Sequence, residues 1–527
     1  MRTLTKALAF PLAGVSRRGP YRQQQGPFAA PWAVNVRTIG PSELRRRGGS
    51  RPGLAKFCET NLGAITALVP IIYLDAAGTR RHDLVFVAGG ALGYVRDGVA
   101  TTTTAELEGP DGVDILDDNN LTIDFSSTVT NAYMHGAVRG GRVYLADTVL
   151  RSYNPAAGTV EPVVASSGTV PTGQPLVAAY RDRIFLAGLT QVFYASRVSD
   201  PTDWNYGSDL DDPSRPVLGQ LSVSTEVGDA LTAMIPIDDN AMVMATDGEL
   251  WLLRGDPATG RLDRVSDGIG IVGRRAWALS PAGLLCFLSN DGVYLWSPGN
   301  GAPARFSAER LPDELIEVDT STNVVSMTYD PVGRGFHLFV TPPTGTGYHW
   351  WIDPENRAFW PQRFVRKHQP VACALMSEQG LGNAVLASRD GYLRYFLQGQ
   401  DDDDGEDLES HVLIGPVHLS NDSEADAMLA EIHGALEGLS EGGSVTWRAV
   451  HGRSAAEAAE AALADLEDAL DGIVPSRAAA RGEWTEGRGF VQRPRSRGPW
   501  VVIWLSSVSS WAYEAITLTT RELGRHR

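Results

Sequence analysis

Cysteine is scarce in this 527-residue chain: Cys58, Cys286 and Cys373 are widely spaced and include no C-x-x-C pair. Three such thiols fit neither a disulfide framework nor a zinc site, and they suit a reducing compartment. Long apolar runs are missing as well. No stretch approaches the eighteen or more apolar residues that cross a bilayer, so no membrane-spanning segment is expected. The apolar run near the N-terminus is short and broken by Pro11, and Arg17-Arg18 leads into Gly-Pro-Tyr-Arg-Gln instead of an apolar segment. That argues against a secretory or twin-arginine signal.

Catalytic signatures are also lacking. There is no H-E-x-x-H, G-x-S-x-G or Walker loop, and the ten histidines never fall at metal-ligand spacing. No catalytic residue, metal ligand or cofactor site is therefore expected. Gly268-Ile-Gly-Ile-Val-Gly273 matches G-x-G-x-x-G, but Arg274-Arg-Ala-Trp-Ala-Leu-Ser-Pro-Ala-Gly283 after it reads as strand then turn. A pyrophosphate site needs a helix N-terminus there. Ser289-Asn-Asp-Gly-Val-Tyr-Leu-Trp296 is close to the aspartate box of sialidases, yet its Gly directly follows the Asp where the box inserts one residue. His349, beside Trp350 and Trp351, reads as a packed and satisfied side chain.

What is present is a globular, turn-rich composition. Hydrophobic residues at 43% and charged residues at 21% are enough to bury a core, and 56 Gly with 13 Trp suit tight turns between aromatic-rich strands. The net charge of −17 is unevenly spread. Residues 1–60 hold eleven Lys or Arg against two acids, a net +9, which leaves −26 on the remaining 467. A basic leader on an acidic body suggests an arm that docks on an acidic partner or a neighbouring copy.

Between about residues 60 and 400 one unit recurs: short strand, Gly or Asp turn, strand rich in aromatic and β-branched residues. After Leu84–Val95 it appears at Gly140–Leu145, Arg181–Leu186, Asp247–Leu252, Asp291–Trp296, Gly333–Leu338 and Asp390–Tyr395. Asp-Gly and Asn-Asp-Gly supply the positive φ of tight hairpins. Markers at Gly93, Gly141, Asp182, Gly248, Gly292, Gly335 and Gly391 are separated by 48, 41, 66, 44, 43 and 56 residues, the longer gaps read as loop insertions. A period of roughly 40–50 residues is that of a propeller blade, whose apolar faces are buried only when the ring closes. The expected fold is mainly β: a β-propeller of six to eight blades, seven favoured, with an N-terminal extended arm and a C-terminal α+β domain. A pair of β-sandwiches is the alternative.

The chain is divided into a basic arm (1–59), a propeller (60–400), an acidic linker (401–410) and an α+β platform (411–527). Asp401, Asp402, Asp403 and Asp404 open a seven-acid stretch expected to remain solvated, either as linker or lining a lumen, without the alternating ligand spacing of a calcium loop. Beyond it His411–Leu419 alternates as a strand. Met428, Leu429, Ile432, Leu436 and Leu439 recur at helical spacing after the polar cluster at Ser420–Ser423. Val445–Val450 reads as a strand, and Ser454 opens a helix with Glu457 at capping-box spacing and Gly472 closing it. Pro499–Val508 and Trp511–Thr520 are the final strands.

Gly14-Val-Ser-Arg-Arg18, Pro31-Trp-Ala-Val-Asn-Val36 and Arg47-Gly-Gly-Ser-Arg-Pro-Gly-Leu54 resemble, in that order, the opening of the tail nozzle proteins (tail tubular protein B) and tail hubs of short-tailed bacteriophages. Tyr153-Asn-Pro155, Ser199-Asp-Pro-Thr-Asp-Trp204, Gly273-Arg-Arg-Ala-Trp277, Leu288–Val293, Trp511–Ile516 and Gly524-Arg525 extend the resemblance along nearly the whole chain. It implies a virion structural protein, not an enzyme: a homohexamer ring joined to a tail adaptor, decorated by fibres or spikes, and conducting double-stranded DNA without sequence-specific binding. Assembly would take place in the bacterial host cytoplasm. Candidate subunit or adaptor contacts are Arg17, Arg18, Asn35, Arg45, Arg46, Arg47, Arg51, Pro52 and Gly53. A protein-interaction platform and a carbohydrate-binding or hydrolysing propeller are the alternatives, although no Trp-Asp dipeptide of the commonest interaction propellers occurs.

Overall fold

The computed structural model describes residues 3–525 apart from 18–27, 40–46, 76, 89–90, 97–105, 108–134, 147–148, 158, 208, 222–228, 312, 379–380, 422–424, 438–442 and 486–487. Arg18, Arg45, Arg46 and Leu439 lie outside the described residues. Strands dominate, and they are organised by one sequence property: apolar runs too continuous for a sheet with one wet face. In the strand Arg80–Ala88, Leu84 and Phe86 pack to one side while Val85 and Val87 pack to the other. Both faces are covered, as period-two alternation between two neighbouring sheets requires.

Among the described residues, seven four-stranded antiparallel sheets arise this way. Their first strands are Ile65–Leu74, His135–Arg139, Leu176–Tyr180, Ala233–Asp238, Trp277–Leu279, Val324–Asp330 and Pro370–Glu378, and we number the sheets blades 1 to 7 accordingly. These first strands face the axis, and that of blade 7 lies against that of blade 1. Apolar clusters join blades 1 and 2, 2 and 3, 3 and 4, 4 to 6, 6 and 7, and 7 back to 1. The fold is a seven-bladed β-propeller. Closure comes from the leader: Gly53–Lys56 is the fourth strand of blade 7, pairing Tyr395 with Ala55 and Phe396 with Leu54.

Each of the seven turn markers falls in a different blade, but not at one place in the blade. Gly141, Asp182 and Gly335 mark the first turn, Gly248, Gly292 and Gly391 the second, and Gly93 sits within a third strand. The 66-residue gap thus combines a change of turn with the long connection from Val192–Ala195 to Val217–Gln220. Asp182 itself carries φ 58°, beside Arg181 at 48°.

The C-terminal part is not the α+β domain expected. It is a sandwich of two sheets with one helix on its outer face. One sheet contains Val36–Ile39, Arg47–Ser50, Ala512–Arg525, Ala425–Glu437 and Arg488–Gln492, with Thr3–Leu8 and Ser496–Gly498 attached; the other contains Ala33–Val34, Ser410–His418, Trp500–Ser507, Ser444–Gly452 and Ala480–Thr485. The helix predicted from Met428, Leu429, Ile432 and Leu436 is the strand Ala425–Glu437. The register shift at Leu429/Glu431 places one extra residue, Ala430, in that strand. A bulge converts a spacing of two into three, here from Leu429 to Ile432, so the bulged strand imitates a helix. The helix Ala455–Leu470 does form: Ser454 Oγ accepts from Glu457 N at 3.1 Å, and Gly472 takes φ 77° beyond its end. Ala458, Ala462 and Leu466 bury against Leu413, Val450, Val502 and Trp504.

The leader is not a free arm. Thr3–Leu8 pairs with the last strand of the chain, and Val15 N donates to Phe359 O of blade 6 at 2.9 Å. Trp32 O accepts from Leu413 N in the sandwich at 3.1 Å, and Asn35 N reaches Pro361 O of blade 6 at 3.0 Å. The leader is threaded between the two β modules. Gly14 shows how tight the passage is: at φ 70° a Cβ would stand 2.5 Å from Phe359 O.

Candidate functional site: the closure knot and its cleft

Arg51 sits where propeller, leader and sandwich meet, and its side chain is fully buried. Burying a guanidinium costs several kcal/mol unless its donors are satisfied. Here they are. Nη1 donates to Asp403 Oδ1 at 2.8 Å and Pro52 O at 2.9 Å, Nη2 to Asp403 Oδ2 at 2.5 Å, and Nε to Asn35 Oδ1 at 3.0 Å. The rings of Phe364 and Phe396 lie 4.6 and 5.8 Å from the guanidinium carbon. Asn35, at φ 53°, also accepts from Arg363 N at 2.8 Å and donates to Glu409 O at 2.8 Å. A Cβ on Gly53 would lie 1.9 Å from Asp402 O, so only glycine lets the leader approach the acidic turn.

The acidic turn is therefore neither a solvated linker nor an open acidic face. Asp403 is buried against Arg51; Asp404 Oδ2 accepts from Arg394 Nη2 at 2.8 Å; Asp402 Oδ1 accepts from Gln400 Nε2 at 2.6 Å. Asp401 is half-buried beside them. Arg394 also grips Asp390 with two bonds of 2.7 Å. Asp402, Asp403 and Asp404 fold here because two buried arginines and a local amide donor satisfy their carboxylates. A second buried pair fixes the leader to blade 6: Arg37 Nη1 reaches Asp330 Oδ2 at 2.9 Å, with His337 Nε2 at 3.5 Å. Burial opposes ionisation of Asp330, but the Arg37 charge and the His337 contact hold its carboxyl well below the usual carboxylate range.

The interface candidates thus divide. Asn35, Arg51, Pro52 and Gly53 converge on the knot and are consumed within the chain. Arg47 is half-exposed and pairs with Glu514 at 2.5 Å. Arg17 lies elsewhere, stacked 4.4 Å over Trp32 and 3.3 Å from Glu314.

Arg17 opens a cleft of about 710 Å³ between the leader, blade 6, the loop leading into it and the end of the helix Ala455–Leu470. Trp32, Trp350 and the outward-facing Tyr348, 68% exposed, form its aromatic wall. Glu317, Asp319, Glu467 and Asp471 surround it, while Arg363 Nη1 is occupied by Leu470 O at 3.2 Å. Aromatic faces beside carboxylates suit a cationic group, as Arg17 itself demonstrates. Leu315 and Glu317 in the loop hold φ 62° and 48°. Sequence reasoning missed these residues because they come from four separate segments, each without a motif of its own.

His349 lines the same cleft and differs from expectation. It is packed, with ring centroids 5.2 Å from Phe364 and 5.8 Å from Phe339, but neither ring nitrogen has a hydrogen-bond partner among the described residues. Burial, with the positive charges of Arg51 and Arg389, lowers its pKa to about 3. It stays a neutral imidazole at ordinary pH.

The glycine-rich run ends as the sequence suggested: Trp277–Leu279 after it is a strand, and no helix N-terminus is present there. Among the described residues no group of three or more His, Cys, Asp or Glu could hold a metal ion, and no helix is long and apolar enough to cross a membrane.

No protein-family model matches the sequence, and no curated protein does. Solved structures similar to the chain include the WD40 β-propeller domain of Doa1, at 12% identity and TM-score 0.39, covering 66% of this chain and 97% of that one. U3-55K is similar at 12% identity and TM-score 0.38, covering 66% and 100%. The extracellular domain of a putative hybrid two-component system from B. thetaiotaomicron is similar at 9% identity and TM-score 0.38, covering 72% and 45%. At these scores the propeller assignment rests on the chain's own seven sheets.

Proposed function

We propose that this chain is a structural interaction platform, a propeller and a sandwich locked into one rigid body that presents surfaces to other proteins, and that its specific form is the tail nozzle or hub of a short-tailed phage. The observation that carries the specific reading is the position of the residues that resemble that family. Gly14, Asn35, Arg51, Pro52 and Gly53 are the ones that thread and tie the leader between the two modules. Trp204 is wedged between blades 2 and 3, and Trp511 Nε1 donates to Ser410 Oγ at 2.9 Å inside the sandwich. Motifs recurring in order along a chain are explained when each one holds a joint of the same architecture.

In this reading copies assemble as a homohexamer ring beneath a tail adaptor, carry fibres or spikes, and pass double-stranded DNA through the bore of the ring. A body carrying −26 beyond residue 60 would repel duplex DNA, with its one charge per ~1.7 Å of axis, and let it slide. Electron microscopy of the purified chain, alone and with an adaptor ring, tests this. Six-fold rings with a central bore are the expected result. A chain that stays monomeric with the adaptor and binds other proteins as a single copy would replace the nozzle by a protein-interaction propeller outside a tail.

A further inference from the structure

The propeller axis holds a feature the tail reading does not use. On one side of the channel, inner strands of blades 1, 2, 5, 6 and 7 line an open cavity of about 290 Å³. Leu68, Val69, Met327 and Ala374 give it an apolar wall, and Arg274 and Arg275 enter it from the turn before Trp277–Leu279. Among the described residues no carboxylate lines it, in a protein whose net charge is −17.

Arg274 is the anomaly. The fully buried guanidiniums of Arg51, Arg183 and Arg394 are paired, with Asp403, with Asp256 and with Asp390 and Asp404. The guanidinium of Arg274 has no hydrogen-bond or ion-pair partner among the described residues, although burial takes enough water from it to lower its pKa. Its backbone is fixed all the same: Arg274 O accepts from Trp277 Nε1 at 3.0 Å, and the next carbonyl, Arg275 O, from Met327 N at 3.0 Å. The glycine-rich run supplies the approach. A Cβ on Gly270 would lie 2.3 Å from the Asp247 backbone, so the loop passes close to blade 4 before delivering two arginines to the axis. A half-buried cation without a counter-charge is costly, and a bound anion removes that cost.

We propose that the axial cavity binds a small oxyanion, inorganic phosphate or a compact polycarboxylate, with Arg274 as its principal donor and Arg275 beside it. The volume lies at the small end of the ~300–1,000 Å³ typical of ligand sites, which favours a compact anion over a nucleotide. Bidentate guanidinium contacts suit phosphate and carboxylate alike.

The test uses the full chain at constant ionic strength, titrated with phosphate and, separately, with citrate by calorimetry and thermal melting. Saturable binding of either with a rising Tm is expected, and mutual competition would assign both to one cavity. Phosphate binding alone would name phosphate as the source, citrate binding alone a carboxylate. Arg274→Gln should weaken binding at least about tenfold without lowering the Tm of the anion-free protein, since an unpaired charge has been removed. Arg254→Gln, at a half-exposed arginine of blade 4, should change neither. No saturable binding of either anion to the native chain, or equal binding to the Arg274→Gln chain, overturns the proposal.

Discussion

Blades 1 to 3 and blades 4 to 6 are built from the same four-stranded unit, yet they are held differently. Among the described residues, the apolar clusters of blades 1 to 3 join them to their ring neighbours, one separate cluster at each joint. Blades 4 to 6 share one continuous core with the leader and both inner faces of the sandwich, in which Phe10, Trp360, Trp447 and Tyr513 all take part. The difference shows that a ring of equivalent units becomes a platform only when one arc is fused to a second module. The fusion is not purely apolar. It is pinned at two places by buried ion pairs, Arg51 with Asp403 and Arg37 with Asp330.

The largest effect should come from breaking the pin. Arg51→Ala leaves the Asp403 carboxylate buried and unpaired, and a loss of about 3–5 kcal/mol is expected by denaturant unfolding. Arg51→Met combined with Asp403→Leu should recover most of it, because apolar pairs of similar volume replace buried ions at little cost. If the double variant is as unstable as the single one, the knot acts by something other than charge pairing.

Core truncations sharpen the contrast between the two arcs. Phe185→Ala in blade 3 and Trp360→Ala in blade 6 should each cost roughly 3–5 kcal/mol. Hydrogen exchange should separate them. Phe185→Ala is expected to expose amides in blades 3 and 4 while the sandwich stays protected; Trp360→Ala should deprotect blade 6 and the sandwich together. Equal spread of both lesions would mean the ring transmits strain as well as the fused core does.

Acid should act on the fused arc. His349 is held neutral, its folded pKa lowered to about 3 from an unfolded value near ~6.5. Its contribution is therefore complete above pH ~6.5 and is lost as pH falls from there toward 3, with a slope of up to about 1.4 kcal/mol per pH unit. His349→Phe should flatten the stability profile over that interval. Asp330, also held below its usual value, adds a loss that begins only below pH ~4. Smaller still is Ser454→Ala, which removes the bond to Glu457 N and should cost about 1 kcal/mol.

Much of the ring is legible in the sequence. Runs such as Leu84–Ala88 and Phe336–Val340 announce strands covered on both faces, and Asp-Gly turns announce hairpins; both signals are local, because they come from side-chain alternation and backbone φ. The helix after Ser454 was legible for the same reason. The strand Ala425–Glu437 was not, since its bulge at Ala430 is set by pairing with Ala512–Arg525 and breaks the alternation that sequence reasoning depends on.

The candidate site was legible in its residues and not in their roles. The leader arginines and the aspartate tract stood out as charge of opposite sign separated by some 350 positions, and they invite the reading of two solvated surfaces, one for a partner and one for a lumen. Arg51 and Asp403 instead neutralise each other at a separation of 352 residues. Arg274 stood just past a glycine-rich motif whose usual meaning fails for lack of a helix, and nothing local placed it on the ring axis.

The sequence by itself determined the blades, their number within the range expected, and the helix cap, because hairpins, alternation and capping are short-range properties. Only the tertiary structure decided that the leader closes blade 7, that the acidic tract folds onto Arg51 with Asp403 buried, and that the final fifth of the chain builds a sandwich. Those outcomes depend on strands and charges far apart in the chain meeting in space, and the cost of burying each is offset only by the partner it finds there.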